Sequence, residues 1–535
     1  MAVASAELPD DIESLKAMLA ERDHKIATQN NIIRDITNKL TWAEEKYRAM
    51  ELRYFGRKSE QYSLEEDRQN RLFDEAEAYT DEDAPPVVER ISVPAHERKK
   101  KGRKPKTDDL PVREEIHELP AEDRRCPCCG EPRLEIGEDR TVEYDLVPAH
   151  VVKIVHKRKK YGPCACEAFG ASTAARVIAA PGPAKIVPGS DFTNRSIAFF
   201  LTAKYADAIP FYRMEKMLAR SGLLVSRAGL CKLAVSVGRV IGDLVAVMNE
   251  DLVRSPVLLM DETTVQVLKE GLGPPGKKSY LWAVLGFADG KPIHRFAYHP
   301  SRSGSFADTL LAGFSGYLQT DGYPGYSHLA GESRLVLVGC FAHIRRKFVT
   351  AWETAGKTGT AKGAIDIIAR IYRVEAECRA AFEDKRLGEA DFLARRKMAL
   401  EPIFLQLRSW LMKAMLDVAP QSQLGKAIAY AQEFFDRAIR FVEHPLLRPD
   451  TNAVENAIRP FVVGRKNWLF SGSPLGAHAS AGFFSLIETA KANGHEPYAY
   501  LAYLFDALPL SRTNEEIRAL LPYRLDPSSY SGNAE

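Results

Sequence analysis

The run from Ser255 to Tyr326 constrains the fold more than any other part of the 535-residue chain. "SPVLLMDETTVQVL" is β-rich, is bounded by Pro256 and carries Asp261 toward its end. After a Gly/Pro-rich turn come two more strand-like runs, "SYLWAVLGFADG" and "PIHRFAYHPSRSG". A helix, "SFADTLLAGF", then precedes a fourth strand, "GYLQTDGYPGY", with Asp321 near its end. Runs of this length, rich in β-branched and aromatic residues and bounded by Gly and Pro, favour strands.

Three strands, a helix and a further strand is the order of the ribonuclease-H-like fold. There the first and fourth strands are neighbours, so Asp261 and Asp321 are expected to meet. Two adjacent carboxylates repel unless a divalent cation joins them, and hard Mg²⁺ prefers oxygen ligands. Glu262 is expected on the other face, because successive strand residues point to opposite sides. Either aspartate alone reads more readily as a turn or strand-end residue; the pairing on this strand order reverses that and gives them chemistry.

Upstream, apolar residues recur every seven positions at Ile12, Leu19, Ile26, Ile33, Leu40, Tyr47 and Tyr54. Leu15, Ile36, Ala43 and Met50 fill companion positions, while Arg22 and Gln29 interrupt them. The spacing predicts a coiled coil and a homo-oligomer. The helix should end at Gly56. An acidic stretch from Leu64 to Asp83 then gives way to "RKKKGRKPK", a solvated basic arm. Its Lys99, Lys100, Lys101, Arg103 and Lys104 suit phosphate contacts. Five of the eight cysteines lie between Cys126 and Cys166. Cys126 and Cys129 form one knuckle and Cys164 and Cys166 a second, which reads as a zinc ribbon with four thiolate ligands to structural Zn²⁺. The second knuckle is one residue short, so Cys128 or His156 could replace a ligand. "FYRMEKMLARSGLLVSRAGLCKLAVSV" reads as a helix-turn-helix, with a first helix to Arg220, a turn at Gly222 and Ser226 as the second N-cap.

The net charge of +3 conceals these local blocks. No apolar run approaches the roughly 18–20 residues needed to cross a bilayer, and the first residues lack a signal-peptide pattern. Clustered cysteines suit a reducing compartment. The expectation is a cytoplasmic, nucleic-acid-binding protein with no membrane partner.

"TNAVENAIRPFVVGRKNWLFSG" sets Glu455 beside Arg459, Arg465, Lys466 and Trp468. Together with "LLMDETTVQVL", "LQTDGYPGY", "GCFAHIRRKF" and the following "SPLGAHASAGFFSLIETAKANG", this block resembles the transposases of the insertion-sequence 66 family. The likeness runs through nearly the whole chain, including "FGRKSE", "GRKP" and the cysteine knuckles. It implies a DDE transposase whose acidic triad falls on Asp261, Asp321 and Glu455, which would hold two Mg²⁺ ions, with Mn²⁺ able to substitute. The implied partners are double-stranded DNA, at the element's ends and at the target, and accessory proteins of the same element; the implied setting is a bacterial cytoplasm, with the protein nucleoid-associated when bound to DNA. Arg459, Arg465 and Lys466 are expected along the DNA, and Trp468 stacks or packs. His343 and Arg345 are candidates to touch the scissile phosphate, while Tyr323 and Tyr326 read as structural. Alternative functions are a ribonuclease-H-like nuclease and an inactive, transposase-derived DNA-binding regulator.

The expected fold is multidomain α+β. A coiled-coil helix (1–60) leads through an acidic then basic linker (61–110) to a zinc-ribbon-like module (111–180). A helical DNA-binding region (181–254) precedes the first part of a ribonuclease-H-like α/β catalytic core (255–349). A helical insertion (350–447), the second part of the core (448–508) and a tail (509–535) complete the chain.

Overall fold

The computed structural model describes residues 11–55, 150–161, 178–270, 278–331 and 334–530. Contacts divide the chain into two units, residues 78–152 and the remainder, and every element named here belongs to the second. The basic arm and the five clustered cysteines lie outside the described residues.

α1 (Ile12–Phe55) is one continuous helix of 44 residues. Asp11 opens it by accepting the Ser14 N–H at 2.7 Å, and it runs to the residue before Gly56. Ile12, Leu19, Ile26, Ile33, Leu40 and Tyr47 are all exposed along it. The helix is the one that the seven-residue repeat requires, and within the single chain its apolar stripe stays in solvent.

Two-residue strands β1 (Lys160–Tyr161) and β2 (Ile178–Ala179) pair antiparallel. Four helices follow: α2 (Asn194–Tyr205), α3 (Phe211–Arg220), α4 (Arg227–Val240) and α5 (Gly242–Leu252). The helix-turn-helix boundaries match the sequence reading. α3 stops at Arg220, Gly222 turns the chain at φ +81°, and Ser226 Oγ accepts the Gly229 N–H at 3.1 Å. Met214 and Leu218 from α3, and Leu230, Leu233 and Val237 from α4, enter the core.

The sheet contains β3 (Val257–Val265), β4 (Ser279–Ala288), β5 (Lys291–His299), β6 (Gly316–Gln319) and β7 (Leu335–Val338), in the order β5-β4-β3-β6-β7. β3, β4 and β5 form an antiparallel meander. Its second turn is Asp289-Gly290, with φ of 51° and 78°, which matches the right-handed twist of a two-residue hairpin. Helix α6 (Gly304–Leu310) carries the chain over to β6, parallel to β3, and β7 joins parallel to β6. The first and fourth core strands are therefore neighbours, as the sequence order implies. β7 is an addition: "LVLV" is too short to distinguish a strand from a helix start by pattern.

Helix α7 (Phe341–Thr354) follows β7, and α8 (Ala361–Glu383), α9 (Glu389–Asp417) and α10 (Gln423–Ala438) fill the expected helical insertion. A buried ion cluster ties it together. Glu375 accepts from Arg379 Nη2 at 2.7 Å, and Arg396 Nε lies 3.4 Å from the same carboxylate. The two arginines also donate to backbone carbonyls: Arg379 to Pro445 at 3.0 Å and to Leu447 at 2.8 Å, and Arg396 to Phe441. These bonds fix the segment leading into α11 (Asn452–Trp468).

α12 (Pro474–Ala492) crosses α4 closely. A Cβ on Gly238 would lie 2.4 Å from that of Ala479, so only glycine permits this approach. The same helix covers the outer edge of β5 with side chains one turn apart. Ser485 bonds the Phe296 N–H at 2.8 Å and its carbonyl at 3.3 Å. Thr489 does the same at His294, at 3.0 and 3.1 Å. Asn493 donates to the Pro292 carbonyl at 2.9 Å. α13 (Pro497–Ala507) and α14 (Asn514–Ala519) follow. Beyond residue 509, where the sequence suggests a tail, Leu520, Leu521, Tyr523 and Tyr530 are buried. Tyr523 donates to buried Asp251 at 3.0 Å.

Candidate active site

Asp261 lies in β3, and Asp321 follows β6 after one residue. The parallel register pairs Leu259 with Gln319, so two residues further on Asp321 stands level with Asp261. Gln319 secures this end of β6: its Nε2 donates to the Gly339 carbonyl at 3.1 Å and to the Arg448 carbonyl at 2.8 Å. That second bond ties the strand carrying one aspartate to the lead-in of the glutamate. Glu455 occupies the first turn of α11, where the helix dipole favours a negative charge. Thr451 Oγ1 bonds its carboxylate at 3.3 Å.

Two basic side chains from α7 approach Glu455: His343 Nε2 at 3.8 Å and Arg346 at 3.9 Å. Arg346 is three residues after His343 and shares its helix face. The charge of Arg345, one residue earlier, is felt instead at the Tyr372 hydroxyl. His343, a candidate for the scissile phosphate, is largely buried. Its side chain is 17 % exposed, and Nδ1 has no hydrogen-bond partner among the described residues.

Electrostatics tie the three carboxylates together. Burial, followed by the charges of Glu262, Glu455 and Asp321, holds the Asp261 carboxyl well above the usual range. Burial also raises Glu455, against the opposing pull of His343 and Arg346. Burial lowers the His343 pKa despite the Glu455 carboxylate beside it.

Among the described residues, no group of three His, Cys, Asp or Glu side chains stands ready to hold a metal ion. Asp261 turns an oxygen to the Glu262 N–H at 2.8 Å, and Asp321 turns one to the Tyr323 N–H at 3.0 Å. The donor chemistry nevertheless fits a hard divalent cation. All three groups are carboxylates, and Asp261 carries a charge that its neighbours penalise and a cation would relieve.

Glu262 takes a different part. It is buried at 7 % exposure, paired to Arg302 and bonded by the Tyr326 hydroxyl at 2.5 Å. Arg465, expected along DNA, donates to the Thr264 carbonyl and, at 2.9 Å, to the Thr264 hydroxyl. It thereby fastens α11 to β3. Arg459 is half-buried and Lys466 exposed on the same helix. Trp468 packs edge-on against Tyr205 and Phe461. Sequence reasoning missed Arg346, Arg302 and Gln319; only the i,i+3 spacing from His343 could have signalled the first.

Comparison with known proteins gives a consistent set of likenesses. A family model described as "Transposase IS66 family" matches residues 189–479. Residues 485–523 match "IS66 C-terminal element", and residues 123–167 match "zinc-finger binding domain of transposase IS66". Residues 42–116 match "Transposase C of IS166 homeodomain", across the segment expected as a linker. Uncharacterized protein y4qI of Sinorhizobium fredii is 28% identical, covering 99% of this chain and 100% of its own length. Uncharacterized protein y4jD of the same organism is 30% identical over 75% of this chain and 78% of its own.

Proposed function

We propose, from the premise that the chain belongs to the transposase IS66 family, that it is a DDE transposase that cuts DNA at the ends of a bacterial insertion sequence and joins the freed ends to target DNA. One observation carries this reading above the others. Asp321 stands level with Asp261 across the β3–β6 pair, and the charges of Asp321 and Glu455 are both felt at Asp261. The β5-β4-β3-β6-β7 order supports a ribonuclease-H-like core, with α8 to α10 inserted ahead of the glutamate.

In this mechanism Asp261, Asp321 and Glu455 would hold two Mg²⁺ ions, with Mn²⁺ able to replace them. Such ions lower the pKa of an attacking water or 3′-hydroxyl and offset charge on the phosphate and leaving oxygen. In the first step water attacks phosphorus and the bond to the 3′-oxygen breaks, leaving a 3′-hydroxyl and a 5′-phosphate. In the second, that hydroxyl attacks a target phosphodiester; a new ester forms and the target's 3′-oxygen leaves. The chain's own residues prepare the centre. Arg346 favours the charged form of buried Glu455, and Gln319 holds β6 against the lead-in to α11. Arg459 and Lys466 with the basic arm line the DNA, while Arg465 serves first to anchor α11. Cys126, Cys129, Cys164 and Cys166 fall within the zinc-finger match and are read as ligands of one structural zinc.

The test compares wild type with Asp261→Asn, Asp321→Asn and Glu455→Gln in gel-shift and strand-transfer assays, in Mg²⁺ and in Mn²⁺. Binding should survive in each variant, while cleavage falls by about 100-fold or more. Near-wild-type strand transfer by Glu455→Gln would remove it from the centre.

A further inference from the structure

Beside the three carboxylates lies a second constellation that the mechanism leaves unused. Arg302 follows β5, and its Nε donates to the Glu262 carboxylate. Its guanidinium lies over the Tyr323 ring, 3.6 Å from the centroid. The Tyr323 hydroxyl returns a bond to the Arg302 carbonyl at 2.9 Å, and the Tyr323 N–H donates to Asp321 at 3.0 Å. The other Glu262 oxygen accepts from Tyr326 at 2.5 Å. A closed circuit thus runs from β3 through Arg302 to the turn that carries Asp321.

Two properties of the circuit point to a ligand. Among the described residues the guanidinium makes one side-chain hydrogen bond, through Nε, and the N–H groups on both Nη atoms have no protein acceptor. The side chain is also 36 % exposed, while its carboxylate partner is 1 % exposed. A planar fork, fixed by a buried carboxylate and an aromatic face, matches two oxygens of a phosphate. Both Glu262 oxygens are already engaged, which leaves it poorly suited to bind metal.

We propose that Arg302 grips a DNA phosphate at or beside the cleaved bond, and that Glu262 is its positioning residue rather than a fourth acidic ligand. The proposal rests on the transposase reading above and adds a substrate contact to it.

The test uses full-length protein and a synthetic duplex copied from the DNA that flanks the coding sequence. A neutral methylphosphonate replaces one phosphate at a time around the cleaved position. Binding is read by gel shift in Ca²⁺ and cleavage in Mg²⁺. For wild type, one substituted position should weaken binding about tenfold. Arg302→Ala should bind the native duplex about tenfold more weakly and lose sensitivity at that position alone. Glu262→Gln should show the same selective loss in milder form. A folded Arg302→Ala protein that keeps wild-type sensitivity at every position would make Arg302 merely structural and overturn the proposal. Should Arg302→Ala fail to fold, Arg302→Lys, which keeps the charge but not the fork, is judged by the same criterion. Failure of the catalytic reading is a separate outcome: Asp261→Asn would then cleave like wild type, whereas the binding series in Ca²⁺ does not depend on cleavage.

Discussion

Lys204 lies among three aromatic rings, with its Nζ 4.3 Å from the centroid of Trp468, 4.7 Å from Phe211 and 5.4 Å from Tyr205. Burial pulls its pKa down to about 8 from 10.5, so the charged form is penalised in the folded state. Below about pH 8 that penalty is present in full. Between the two values the unfolded chain binds more protons, and this group's contribution to stability improves as pH rises. The rings return part of the loss through cation–π attraction. Lys204→Met should therefore stabilise the protein at pH 7, by about 1 kcal/mol. The gain over wild type should shrink toward pH 9.5, as thermal melts at the two pH values would reveal; an equal gain at both would exclude the burial account. The same site shows what was legible at this scale. Trp468 read as a stacking or packing residue, and it packs. Asp321 stood out just past a short strand and Glu455 through the family resemblance of its block, whereas Asp261, expected toward a strand end, lies in the middle of nine-residue β3. Arg302 and Arg346 were not legible, because their importance comes from partners 40 and 109 positions away in sequence, Glu262 and Glu455.

Helix α11 leaves its last turn through Leu469, at φ +67° and ψ −45°. The Phe470 N–H closes a tight turn onto the Trp468 carbonyl at 2.8 Å. A side chain seldom adopts this backbone, and Leu469 is 64 % exposed, so little packing opposes its removal. Leu469→Gly should raise stability by about 1 kcal/mol in a denaturant titration; a loss of stability would show that the leucine packs after all. The opposite sign is expected where α12 meets β5. Ser485→Ala leaves the Phe296 N–H and carbonyl without their partner inside the core, a cost of about 1–3 kcal/mol. Adding Thr489→Val repeats the loss at His294. The double variant should melt earlier and scatter more light than wild type, and unchanged melting would mean that solvent replaces these bonds freely. Strand existence, the helix-turn-helix boundaries and the insertion were legible because each follows a local period or cap. β7 was too short to read, and the serine, threonine and asparagine of α12 passed as ordinary helix residues. Their role exists only once a strand edge lies against them.

Across the whole molecule, the insertion is more than a spacer. Its buried Arg379 and Arg396, paired to Glu375, hold the carbonyls of Phe441, Pro445 and Leu447, and through them the approach to Glu455. The other large feature is α1, which displays large apolar groups for most of its length. We expect it to pair with copies of itself. Ile26→Lys with Ile33→Lys should lower the oligomer in analytical ultracentrifugation, and an unchanged sedimentation coefficient would assign the stripe to another partner. Assembly of this kind makes the side-chain ladder on β5 important beyond stability. Copies tethered side by side experience effective concentrations of about a millimolar, conditions under which bare sheet edges seed fibres. With the His294 and Phe296 backbone groups already bonded, that edge offers no template to a neighbour. Crowding of the chains on DNA can then proceed without being diverted into insoluble polymer.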